Sequence, residues 1–300
     1  MLESQKEQIA QALDEYMKVH DVSQNKVSKG SGVSAGYVSQ IVKRKWNEVP
    51  VADGKTISIG DSHFRKLQAY MGLSLDVFQT KNFMDVQIAL DDARRTVAYY
   101  IIDGDTGAGK TFAITDYARK HSATTYVVKC SNAMTATQMV RAICREVGVG
   151  ELGATGAVED RIKAIATKMN REQALLVFDE SETMVKKSRA FGYIKDLYDR
   201  VEGRSSIVIA GANGFLDKLR QKANYNVESF PQVVRRFAAN PVMLSGGVDM
   251  QDAIDICAAH GITSKKEVAV LVAASPNYGT LFSKLKKLKA DQEILATANA

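Results

Sequence analysis

Eight consecutive residues, Gly104-Asp-Thr-Gly-Ala-Gly-Lys-Thr111, constrain this chain more tightly than anything else in its 300 residues. They fit G-x-x-x-x-G-K-[ST] without exception. An apolar run ending in VAYYIID (Val97–Asp103) precedes them, and KTFAITDYARK, which reads as a helix, follows. A strand, a glycine-rich loop and a helix in that order turn backbone N–H groups inward onto phosphate oxygens at the positive end of the helix. The expected nucleotide-binding set is therefore Gly104, Asp105, Thr106, Gly107, Ala108, Gly109, Lys110 and Thr111. Lys110 is placed to reach the β- and γ-phosphates of ATP, and the Thr111 hydroxyl to ligate Mg2+. A glycine-rich turn that spelled the motif by chance would lack the flanking strand and helix.

The pattern continues past the helix. TYVVKC (Thr125–Cys130), the run Ala174–Asp179 and Ser206–Ala210 read as strands. Helical patterning lies between them at 135–147, 157–170 and 189–201. Alternation of this kind predicts a parallel sheet between helices. ALLVFDES puts Asp179 at the carboxyl end of a buried strand, the edge at which open α/β sheets bind ligands. We expect that strand to lie next to the one feeding the loop. Asp179 would then hold Mg2+ through water, and Glu180 would polarise the attacking water as a general base. SIVIAGAN ends in Asn213, which suits either a turn before glycine or a group that positions the lytic water; its placement favours the second. In PQVVRRFAANP, Arg235 and Arg236 read equally as a surface salt-bridging pair or as guanidinium fingers offered to a neighbouring subunit's nucleotide.

The ends of the chain differ from the middle. Between Val22 and Trp46, Ser23 and Ser34 are capping residues and Gly32 a left-handed turn, the pattern of a helix-turn-helix. Its second helix would present Tyr37, Ser39, Gln40 and Lys43 to a DNA groove, against the plainer reading of a small helical bundle. Pro50–Asp61 reads as a loop and His63–Met71 as a helix. From about Gly246 onward only helical patterning remains. The division expected is a helix-turn-helix domain at 1–65, a linker at 66–79, an ATPase core at 80–243 and a helical lid at 244–300. The longest apolar stretches are far short of the roughly 18 residues a membrane span needs. The N-terminal residues lack the apolar stretch of a secretory signal. Cys130, Cys144 and Cys257 form no C-x-x-C pair, so reduced thiols in a cytoplasmic setting are expected. A net charge of +6 permits a polyanionic partner without requiring one.

Taken together, GDTGAGKT, LLVFDE, IAGAN and VRRF with helical patterning behind them resemble the AAA+ ATPases. With VSQNKVSKGSGVSAGYVSQIV in front and DAIDICAAHGI…KEVAVLVAASPNYGTLF behind, the chain is similar to the phage transposition ATPases of the Mu B type. That resemblance implies an α/β P-loop AAA+ domain with an N-terminal helix-turn-helix domain and a C-terminal helical lid. It also implies ATP and Mg2+ as cofactors and a slow ATPase activity that assembles as a helical filament on double-stranded DNA with little sequence preference. A transposase would be the partner that receives the DNA. Lys110 and Thr111 match the phosphate loop, Asp179 and Glu180 the metal-binding and catalytic acids, Asn213 the sensor, and Arg236 the finger, with Arg235 beside it. One position departs from the family: Phe282 stands where the lid usually offers an arginine, and Lys284 or Lys286 are the nearby substitutes. Lys129, Lys186, Lys187 and Arg189 lie on loops that would face DNA phosphates. Helicase loaders, which favour single strands, and ATP-gated helix-turn-helix transcription regulators are the competing readings.

Overall fold

The computed structural model describes residues 3–50, 56–71, 77–150, 157–239 and 241–298. Of the loop expected at Pro50–Asp61, residues 51–55 lie outside the described residues, as do residues 72–76 of the expected linker. The chain divides into two compact units, Met1–Val77 and Phe78–Ala300.

Among the described residues, the first unit is built from four helices, Glu3–Val19, Gln24–Ser31, Ala35–Val42 and Asp61–Met71. The Ser23 hydroxyl accepts from Lys26 N–H and starts the second helix, and Gly32 ends it at φ +68°. Ser34 accepts from Tyr37 N–H and starts the third. Each side-chain cap satisfies one of the N–H groups a helix leaves without an intrahelical partner. Ile9, Leu13, Val27, Val38, Ile41, Trp46, Phe64 and Leu67 close over one core. Trp46 anchors it by packing edge-on against Phe64 and donating its indole N–H to Glu3 at 3.0 Å.

Two expectations need correcting here. Strand β1 (Val49–Pro50) pairs antiparallel with β2 (Thr56–Ile57), so the segment read as a loop contains a small ladder. The helix Asp61–Met71 runs past residue 65 and buries Leu67 in this core, so the first part of the expected linker is structural.

The second unit holds a five-stranded sheet of β3 (Tyr99–Gly104), β4 (Thr125–Lys129), β5 (Leu175–Asp179), β6 (Ser206–Ala212) and β7 (Val242–Met243). Their spatial order is β4-β5-β6-β3-β7, and every pairing is parallel. All residues of β5 and β6 are buried, as sheets covered on both faces demand. One face, with Ile101, Val128, Leu176, Phe178, Ile207 and Ile209, packs under helices Ala136–Val147, Val158–Glu172, Ser188–Val201, Phe215–Asn224 and Phe230–Phe237. Helices Lys81–Thr96 and Lys110–Lys120 pack on β3, β4, β5 and β6 and on each other.

The order corrects a further expectation. β5 does not adjoin β3, because β6 lies between them. Helices Met250–Ala259, Lys265–Ala273 and Tyr278–Ala298 follow the sheet, with Ile256, Cys257, Val268, Tyr278, Leu281 and Leu285 at their centre. All three cysteines are free and buried. Among the described residues no helix is long and apolar enough to cross a membrane.

Candidate nucleotide site

β3 ends at Gly104 and a helix begins at Lys110, so the loop between them sits at the carboxyl edge of the sheet. Gly107 and Gly109 hold φ +84° and +93°, a region that glycine enters without steric cost. No side chain caps the helix that Gly109 opens. Its first N–H groups are therefore left for a ligand or for water, and the helix dipole favours an anion there. Lys110 is almost wholly buried. Its ammonium donates to the carbonyls of Gly104 at 2.7 Å and Asp105 at 3.0 Å. Burial holds its pKa below the ordinary lysine value, against the opposing pull of Glu182, Asp179, Asp103 and Asp105.

Thr111 and Asp179 meet. The Thr111 hydroxyl donates to Asp179 Oδ2 at 2.7 Å, which brings the loop helix to the end of β5 across the intervening strand. Asp179 is only 2% exposed, and its other oxygen accepts from the N–H of Glu180 at 2.9 Å. A hydroxyl and a buried carboxylate side by side offer the hard oxygen donors that Mg2+ prefers, so the residues present fit that ion.

Glu180 adopts φ +55°, a conformation that costs a non-glycine residue energy and that clusters at functional sites. Its carboxylate pairs with Lys129 at 3.0 Å, and the hydrogen bond to Glu180 raises the Lys129 pKa. Asn213, also left-handed at φ +56°, accepts from the Thr106 hydroxyl at 3.4 Å. The structure thus brings Lys110, Thr111, Asp179 and Asn213 together around the loop, with Glu180 next to Asp179.

The arginines part company. Arg236 pairs with Asp199 at 2.6 Å and stacks 4.0 Å over the Tyr198 ring. Arg235 is exposed and makes no ion pair with the described residues. The candidate DNA contacts divide in a similar way. Lys186 and Arg189 are exposed. Lys187, by contrast, donates to the carbonyls of Asn132 at 2.7 Å, Ser131 at 3.3 Å and Met134, so its ammonium is engaged within the fold. In the first unit Lys43 is exposed, Ser39 and Gln40 are half-buried, and Tyr37 packs edge-on against His63 rather than standing free. Phe282 packs against Phe78, and Lys284 donates to the Ala274 carbonyl at the end of the neighbouring helix. Neither takes the place of the missing arginine.

Three residues near the loop escaped the sequence reading. Glu182 accepts from Ala212 N–H at 3.1 Å and adds negative charge near Lys110. Asn82 donates to the Ala108 carbonyl at 3.3 Å, and Asn277 to the Thr106 carbonyl at 3.2 Å. For Asn277 a signal existed: Ser-Pro-Asn before a helical run is a capping pattern. For Asn82 and Glu182 there was none.

Comparison with known proteins agrees with this geometry. Residues 94–219 match the AAA domain family model. No curated protein matches the chain. Among solved structures, the ORC2 protein of Aeropyrum pernix in its ADPNP–ADP complexes aligns with 73% of this chain and 63% of its own, at 15% identity and TM-score 0.53. The ORC1 protein of Aeropyrum pernix in complex with DNA aligns with 76% of this chain and 64% of its own, at 14% identity and TM-score 0.51. This chain therefore spans less than two thirds of the length of those proteins. At such identities the likeness is one of fold, an α/β AAA+ sheet with its helices.

Proposed function

We propose, from the premise of an AAA-type ATPase domain at residues 94–219, that this protein is an ATP-driven, largely sequence-nonspecific binder of double-stranded DNA that oligomerises on it, selects it as a transposition target and activates a transposase. The observation that carries the ATPase half is the hydrogen bond between Thr111 and buried Asp179 beside an uncapped helix end. The DNA and transposase half rests on the sequence resemblance.

In this reading the loop N–H groups and Lys110 bind the triphosphate, and Thr111 and Asp179 hold Mg2+. That ion supplies charge neutralisation on the phosphates. Water attacks the γ-phosphorus, the bond to the bridging oxygen breaks, and ADP leaves as phosphate forms. Glu180 takes the water's proton, for which its ion pair with Lys129 must open so that the carboxylate can reach the water. Asn213 orients the water. Arg235, the exposed member of its pair, is the residue free to reach a neighbouring subunit's nucleotide, whereas Arg236 is held by its own chain. The helices after residue 244 serve as the lid, and the two capped helices around Gly32 add DNA affinity as a helix-turn-helix.

The test is binding to random-sequence double-stranded DNA with ATP and with ADP, alongside Lys110→Ala. Cooperative, salt-sensitive binding with ATP that is lost with ADP and in the variant is the expected result. Preference for single strands would favour a helicase loader, preference for one operator a transcription regulator, and indifference to nucleotide would sink the ATP-driven reading.

A further inference from the structure

Consecutive carbonyls of the phosphate loop are gripped by other segments. Thr106 C=O accepts from the Asn277 side chain at 3.2 Å, Gly107 C=O from the N–H of Gly279 at 3.3 Å, and Ala108 C=O from the Asn82 side chain at 3.3 Å. Every peptide of the described chain is trans, so a carbonyl pointing one way fixes the next N–H to point the other. The N–H of Ala108 closes a turn onto Asp105 at 3.2 Å. The N–H groups of Gly107 and Gly109 are then the ones turned away from the two asparagines. A set of N–H groups converging on one side is what makes such a loop an anion cradle.

Both asparagines are tied to the C-terminal helices as well. Asn82 is 1% exposed, and its amide also donates to Ser245 C=O at 2.9 Å and accepts from Ser245 N–H at 3.0 Å and its hydroxyl at 2.9 Å. Ser245 opens the Gly246–Gly247 stretch that leads from β7 into those helices. Asn277 stands at the other end of the same region. Its Oδ1 accepts from Thr280 N–H at 2.9 Å and from the Thr280 hydroxyl at 3.0 Å, capping the last helix while its amide reaches the loop. The approach is close: a Cβ on Gly107 would lie 2.6 Å from Asn277 Cγ, so only glycine lets the cap come so near.

We propose that Asn82 and Asn277 are positioning residues of the phosphate cradle, each holding one peptide plane of the loop from behind, and that a bound polyphosphate is thereby coupled to the C-terminal helices. The proposal rests on the ATP-binding reading above. It gives this chain a link between nucleotide and lid that needs no arginine at position 282.

The decisive variant is Asn277→Ser in the full chain, because serine keeps a capping oxygen but is too short to donate to Thr106. Calorimetric titration with ATP and with ADP is expected to show binding about 3- to 10-fold weaker than wild type, the size of one lost hydrogen bond. The melting point without nucleotide should fall by no more than about 4 °C, the size of one lost hydrogen bond. Hydrogen exchange in the helix Tyr278–Ala298 should slow on adding ATP in the wild type and not in the variant. Asn277→Asp, which preserves shape and cap but replaces the donor by an anion, should weaken binding further. Wild-type affinity together with wild-type slowing of exchange in Asn277→Ser would overturn the proposal, as would a loss of affinity that appears only with a larger fall in melting point. A wild-type chain that binds neither nucleotide would remove the ATP-binding reading and this proposal with it; weakened binding confined to the variants separates the two.

Discussion

Two of the helices that begin just after a small residue begin differently. Ala35–Val42 starts at Ser34, whose hydroxyl satisfies the N–H of Tyr37. Lys110–Lys120 starts at Gly109, which has nothing to give. The first helix is finished by its own chain and completes a hydrophobic core. The second carries its unsatisfied N–H groups to the edge of a sheet, beside a buried lysine and a buried aspartate. A capped helix end stabilises the fold, whereas the end at Gly109 leaves its first N–H groups for an anion or for water.

The comparison breaks first at Lys110. Lys110→Ala should weaken ATP binding at least about 100-fold by calorimetry, since it removes the side-chain charge from the cradle, while leaving the melting point of the apo chain nearly unchanged. Affinity unaffected by this change would mean that the uncapped helix is not the anion site. Glu180→Gln comes next: hydrolysis should fall by about 100-fold or more in a phosphate-release assay while ATP binding persists, because a neutral amide accepts no proton. Equal losses of binding and turnover would contradict a general-base role.

Smaller effects sharpen the contrast. Arg236→Ala should cost about 1–2 kcal/mol in urea unfolding through loss of the Asp199 pair and the Tyr198 stacking, whereas Arg235→Ala should leave stability alone and slow hydrolysis only in the assembled state. On the capped side, Ser34→Ala should destabilise the first unit by about 1 kcal/mol with no change in ATP affinity. The pH dependence has a definite sign. Because burial lowers the Lys110 pKa, its charge is lost at lower pH than on a free lysine. ATP affinity titrated from about pH 7 to pH 10 should therefore decline before an exposed lysine would deprotonate.

How much of this was legible in the sequence depends on whether a feature is carried by side chains or by backbone. The loop, Asp179 and the caps at Ser23 and Ser34 are local spellings with local geometry, and they could be read. The alternation of apolar runs indicated a parallel sheet, but nothing in it said that β6 separates β3 from β5, because pairing order is a long-range property. β7, only two residues long, is too short for any periodicity to register. Nor did spacing say that Arg236 would pair with Asp199 and lie over Tyr198, on a helix distant in sequence, while Arg235 stays exposed. Asn82 was missed because it recognises carbonyls, which every residue has and no motif records; the Ser-Pro-Asn pattern marks Asn277 as a cap but not as a partner of the loop.

The insertion of β6 between the loop strand and β5 has a geometric corollary. Parallel neighbours lie about 4.8 Å apart, so β3 and β5 run about two strand spacings apart, and the helix Lys110–Lys120 spans that distance to bring the Thr111 hydroxyl within 2.7 Å of Asp179. The intervening strand ends in Ala210-Gly211-Ala212, and a Cβ on Gly211 would meet the buried ring of Phe215 at 2.2 Å. Gly211 therefore cannot gain a side chain without dislodging a core aromatic. The spacing of β3 and β5 is set by strand count and the closeness of β6 to Phe215 by a residue with no side chain, so both belong to the backbone rather than to the residues of the site.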